Sequence, residues 1–148
     1  MNRGIRNTQI TITANLIIAV LLIALLFGGF KAIGELFYYW PLNIGVAITA
    51  LYFSGYIFGE KLDKSININK RNPLIYGSIS LFIILLIGII SGATVGFFQE
   101  GIDQVARNGL ADALFDYYVK PLYWIVLFGF IPTLLAGGFL GYSIKKDV

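Results

Sequence analysis

Charged residues are missing from four long stretches of this chain, 10–30, 42–58, 74–98 and 122–142, which are filled mainly by Ile, Leu, Val, Phe, Ala and Gly. The stretches run to 21, 17, 25 and 21 residues. At ~1.5 Å of rise per residue even the shortest covers ~25 Å as a helix, close to the ~30 Å hydrocarbon core of a bilayer. The short second stretch can borrow Tyr39 and Trp40 on one side and Gly59 on the other. The pattern predicts an all-α integral membrane fold, a single domain over 1–148 with four transmembrane helices arranged as two hairpins. Composition agrees, since 57% of residues are hydrophobic and only 13% charged, against ~25% charged in soluble domains.

Charge supplies the orientation, because cytoplasmic loops retain Lys and Arg while translocated loops are poor in them. Arg3 and Arg6 precede the first span, Lys61, Lys64, Lys70 and Arg71 fall between the second and third, and Lys145 and Lys146 follow the fourth. These are eight of the eleven basic residues, and only Lys31, Arg107 and Lys120 fall on the other side. Both termini are therefore expected in the cytoplasm. The stretch 10–30 does not read as a cleaved leader: its apolar run exceeds the usual ~7–15-residue core, and its loss would leave three spans with the wrong charge balance.

Proline and aromatic residues mark the span boundaries. Pro41, Pro73 and Pro121 sit where spans two, three and four begin, and proline is tolerated at the first helical position because its missing N–H would be unpaired there anyway. Asn72 is suited to cap the third helix. Tyr38, Tyr39 and Trp40 precede span two, and Tyr117, Tyr118, Tyr123 and Trp124 surround the start of span four, as expected of rings that prefer the headgroup level. Tyr76 and Tyr142 mark the opposite face. Pro132 alone falls inside a span and is expected to kink the fourth helix near residues 129–133. The order of Tyr-Tyr-Trp-Pro and Phe-Ser-Gly-Tyr around span two resembles that of Tyr-Tyr-Val-Lys-Pro and Phe-Leu-Gly-Tyr around span four, which suggests a parallel pseudo-repeat of the two hairpins.

Helix packing in lipid relies on small residues that let backbones approach. Gly88, Gly92 and Gly96 form consecutive GxxxG steps on span three, Gly55 with Gly59 and Gly137 with Gly141 add one step each on spans two and four, and Ala24 with Gly28 is a small pair on span one. Polar groups at membrane depth are where function usually shows. The candidates for a polar cleft are Asn15 on span one, Thr49, Tyr52 and Tyr56 at helical spacing on span two, and Ser91 on span three, with Glu100 the carboxylate nearest the membrane. The third loop, 99–120, alternates apolar Ile102, Val105, Leu110 and Leu114 with polar Asp103, Gln104, Arg107 and Asp112 at 3–4 spacing. It predicts an amphipathic helix, broken at Asn108-Gly109, that lies on the outer surface or caps the bundle.

Absences narrow the chemistry. Without Cys or His there is no thiol redox chemistry, no histidine haem ligation, no ordinary zinc site and no Ser–His nucleophile. No phosphate-binding loop occurs, and the net charge of +3 is spread over two termini and a loop and forms no nucleic-acid patch. No catalytic residue, metal or cofactor is expected. The partners expected are the lipid bilayer and either a second copy or another membrane protein, in the plasma membrane of a bacterium. Function is expected to be non-enzymatic, through helix–helix interaction, as an accessory or assembly subunit of a membrane complex or a toxin-protective protein. The alternative is a small oligomeric channel or carrier for a neutral solute. The topology has a direct test: cysteines introduced at Ser65 and Asn108 are expected to react with an impermeant maleimide from opposite faces of the membrane, and labelling from one face would overturn it.

Overall fold

A computed structural model describes residues 2–27 and 29–145; Gly28 and Lys146, named above for packing and charge, lie outside them. The described residues are helical nearly throughout, with no strand among them. Four helical rods are long and apolar enough to cross a membrane: Arg3–Leu26, Pro41–Ile68, Pro73–Asn108 and Leu110–Ile144. Within these lie α1 (Arg3–Phe27), α3 (Pro41–Asp63), α4 (Pro73–Gly96), α5 (Ile102–Asn108), α6 (Leu110–Leu114) and α7 (Lys120–Ile144), and a short α2 (Phe30–Tyr39) links α1 to α3.

α2 is absent from the expectations above, which treat 31–41 as a loop. Gly29, at φ 82°, turns the chain out of α1, a conformation that costs a residue without Cβ nothing. Phe30, Ile33, Leu36 and Phe37 then recur at helical spacing, and Lys31 pairs with Glu35 one turn on at 3.8 Å. A ten-residue amphipathic helix of this kind suits the membrane–water interface. Its signal was legible but short enough to pass for the tail of an apolar run.

A second difference concerns the third loop. It neither lies flat nor caps the bundle, but prolongs α4 and α7 as two arms of one helical hairpin. The arms pack on each other, and the chain reverses at Gly109, at φ 92°. Pro121 stands in the first turn of α7, as expected, but the rod is already helical from Leu110 and runs unbroken to Ile144. The π-helical turn Phe115–Val119 just before it loosens the ladder where proline has no N–H to give. A matching π turn, Phe97–Gly101, lies in the opposite arm, and Lys64–Ile68 forms a third after α3.

In the bundle, α7 packs along α4 most extensively, α3 along α4 next, α1 along α3 less, and α1 meets α7 least. Side-chain contacts fix the directions. Asn7 of α1 donates to the Ser143 carbonyl of α7 at 3.0 Å, Asn67 donates to the Ile144 carbonyl at 3.1 Å, and Gly141 abuts the Pro73 carbonyl. The start of α1, the end of α3, the start of α4 and the end of α7 therefore share one end of the bundle. At this end Asn72 Oδ1 accepts from the Leu74 N–H at 3.0 Å, capping α4. The core of Ile12, Leu51, Leu62, Ile66, Leu81, Ile84, Leu140 and Ile144 runs inward from it.

Glycine sets the spacing of the helices. A Cβ at Gly77 would strike the Gly137 carbonyl, and one at Gly137 would sit 2.5 Å from Ser78 Cα. At Gly45, exposed on α3, a Cβ would meet nothing within 4 Å. Gly77→Leu is therefore expected to destabilise the bundle by at least ~1–3 kcal/mol, read as a lower melting temperature in detergent, whereas Gly45→Leu should leave it unchanged or raised.

Candidate functional site

The residues singled out in the sequence divide into three places. The first is the set of helix seams. Gly55 and Gly59 of α3 face α1, where Ile12 and Ile5 meet them; Gly88, Gly92 and Gly96 of α4 face α3, against Leu51, Ala47 and Asn43; Gly137 and Gly141 of α7 face α4, against Ser78 and Pro73. All seven are buried inside the chain, so none of the three sets is free to meet a second copy. Gly4 and Gly77 also lie in the seams, against Gly59 and Gly137; neither belongs to a GxxxG step, so no repeat pointed to them.

The second place is the set proposed as a polar cleft, which does not converge. Tyr52 turns to α1, where its hydroxyl and that of Thr13 lie 2.7 Å apart and its carbonyl accepts from Gln9 Nε2 at 2.9 Å. Thr49 is exposed on α3 and bonds the Gly45 carbonyl of its own helix, and Tyr56 is exposed as well. Ser91 is half-buried on α4, and Glu100 stands outside the bundle on the hairpin. Only Asn15 lines an internal space.

That space is a crevice of about 120 Å³ partway along the apolar helices, walled by α1 and α7 and floored by α4. α1 and α7 are joined by Asn7 and Ser143 at one end, and away from it they separate. Ile18, Ala19 and Leu22 of α1, Leu81 and Leu85 of α4, and Ile125 of α7 supply an aliphatic lining. Three polar groups break it. Asn15 uses its amide N–H on the Thr11 carbonyl, which leaves its oxygen. Thr133, only 5% exposed, lines the crevice. Pro132, inside α7, has no N–H for the Phe128 carbonyl. The helix continues through that proline from Lys120 to Ile144.

The third place is the hairpin. Gln104 Nε2 donates to Asp116 at 2.5 Å, and Lys120 pairs with the same carboxylate. Hydrogen bonding from Lys120 and then from Gln104 holds the Asp116 carboxyl below its usual range. Phe97 stacks edge-on against Tyr117, whose hydroxyl donates to Glu100 at 3.4 Å. Burial, then the charge of Glu100, holds that phenol above its usual range. Tyr118 closes the base of the hairpin with a 3.1 Å bond to Thr94. Among the described residues no cluster of carboxylates could hold a metal ion.

Searches against protein-family models, curated proteins and solved structures find no match to this chain.

Because Asp116 has a depressed pKa in the folded hairpin, its stabilising contribution is present at neutral pH and disappears as pH falls through and below the ordinary carboxylate range. Amide exchange in the arms, corrected for intrinsic rate, is expected to rise about twofold to fivefold on acidification, the scale of an exposed ion pair. Asp116→Asn should remove that rise; a pH response that survives it would assign the coupling elsewhere.

Proposed function

We propose that this chain is a non-enzymatic membrane subunit that engages another membrane protein, or a second copy, through the hairpin formed by α5 and α6 beyond the lipid. The observation that carries this is the placement of apolar side chains on the arms. The hydrophobic spans end at Phe98 and resume at Leu122, while Ile102, Leu110, Leu114 and Phe115 are all exposed. Leu110 is twelve residues, or ~18 Å of helix, beyond Leu122. That exceeds the ~5–7 Å of interface on each side of the hydrocarbon, so lipid cannot cover it in an upright helix. Exposed apolar groups at such a distance, rimmed by Asp103, Arg107 and Asp112, have the make-up of a protein interface.

The rest of the molecule fits a scaffold. No span carries an ionisable group at membrane depth of the kind proton relays and ion-coupled carriers need. The α3–α4 seam is closed by Leu51, Ala47 and Asn43 laid on glycine and the α4–α7 seam by backbone contact, and Thr49 and Tyr56 face away from the bundle, which removes the lining for a pore within one chain. On the orientation set by the basic residues, the termini and the loop after α3 face the cytoplasm and the hairpin faces outward from the plasma membrane.

Extracted from its native membrane in mild detergent, the chain is expected to carry a partner or a second copy, seen by native mass measurement. Leu110→Gln with Leu114→Gln should reduce recovery of that species about tenfold or more, as when two anchor side chains each worth ~1 kcal/mol are lost, without lowering the melting temperature. A clean monomer before mutation would overturn the proposal.

A further inference from the structure

We infer that the crevice between α1, α4 and α7 is a binding site for an uncharged, lipid-soluble molecule that carries a hydrogen-bonding hydroxyl or carbonyl on an apolar chain. Its aliphatic walls and volume of about 120 Å³ are suited to a chain segment or a single ring and not to a second helix. The lining includes no ionisable side chain, so a charged headgroup would be desolvated without compensation. What distinguishes the crevice from an ordinary lipid-filled gap is its polar equipment. Thr133 is 5% exposed, and its hydroxyl makes no hydrogen bond among the described residues, although other helical hydroxyls here, on Thr11, Thr49 and Thr94, each bond the carbonyl four residues back. Pro132 beside it leaves the Phe128 carbonyl without its usual donor, and the Asn15 oxygen stands on the opposite wall. A hydroxyl that opens on an apolar crevice with no partner is costly in hydrocarbon. A ligand hydroxyl can both accept from Thr133 and donate to one of the two free oxygens; a ligand carbonyl can accept from Thr133.

Space for the ligand arises at Gly129, where a Cβ would meet only Ile125 Cγ2, at 3.7 Å. Larger side chains there enter the crevice and disturb no neighbouring helix. This allows a filled variant that still folds, in contrast to the seam glycines.

The test uses the full chain in phosphatidylcholine vesicles with a hexadecanol analogue bearing a mid-chain diazirine, and maps the photolabel by peptide mass. Labelling is expected on the crevice faces of α1 and α7 and is expected to saturate with unlabelled hexadecanol. Thr133→Val, which keeps the shape and removes the hydroxyl, should weaken binding by about threefold to tenfold, the range of one net hydrogen bond. Gly129→Leu should lower labelling about tenfold or more, and Thr49→Val, on the exposed face of α3, should change nothing. If labelling does not saturate, if Thr133→Val leaves it unaltered, or if phosphatidylcholine with a diazirine in its tail labels the same residues equally well, the crevice is merely solvated by bulk lipid and the inference fails. It fails equally if a cysteine placed at Ala19 cross-links two copies, because a second chain would then fill the space.

Discussion

Backbone-to-backbone approach at glycine is the interaction on which this bundle depends. Lipid offers helices no hydrophobic reason to associate, so contact energy must come from close packing, and here each spanning helix after the first turns its GxxxG glycines toward the spanning helix before it. Gly55 and Gly59 meet α1, Gly88, Gly92 and Gly96 meet α3, and Gly137 and Gly141 meet α4. Polar bonds then fasten what packing brings together: Ser78 of α4 donates to the Leu134 carbonyl of α7 at 2.9 Å, and Gln9 of α1 reaches the Tyr52 carbonyl of α3.

The strength of these seams is uneven, and the unevenness creates the cavity. α1 offers glycine only at Gly4 within its packed half; from Leu16 to Leu26 its side chains are aliphatic and largely exposed. In its most apolar window only 6% of residues are buried, against 28% in the third and fourth rods. The crevice opens where α1 loses its hold, and Asn15, Thr133 and the proline step at Pro132 line it.

At the other end of the bundle the same two helices that pack most closely, α4 and α7, run on together past the last apolar residues of their spans. The paired π turns each insert an extra residue into the helical repeat and so rotate the side chains of the arms relative to those of the spans. Phe97, Tyr117 and Tyr118 cluster between them, and the hairpin has its own internal polar links and exposed apolar side chains.

Much of the architecture was legible in the chain. Four uncharged stretches of membrane length determine four apolar helices, because a backbone in hydrocarbon has to satisfy its own hydrogen bonds, and the break at Gly109 follows from a residue that tolerates positive φ. The site was far less legible. Tyr52 and Tyr56 share a helical stripe, yet one bonds α1 while the other is exposed, since four residues at 100° per step leave a 40° offset that decides which neighbour is met. Thr133 has the same composition-level appearance as Thr49, and only the neighbours of α7 turn it inward onto the crevice. Apolar length and helix-breaking residues act locally, so the sequence alone determines where helices run. Which glycine meets which helix, and where a gap remains, depends on contacts between residues up to 136 positions apart, such as Asn7 and Ser143, and only the tertiary structure decides those.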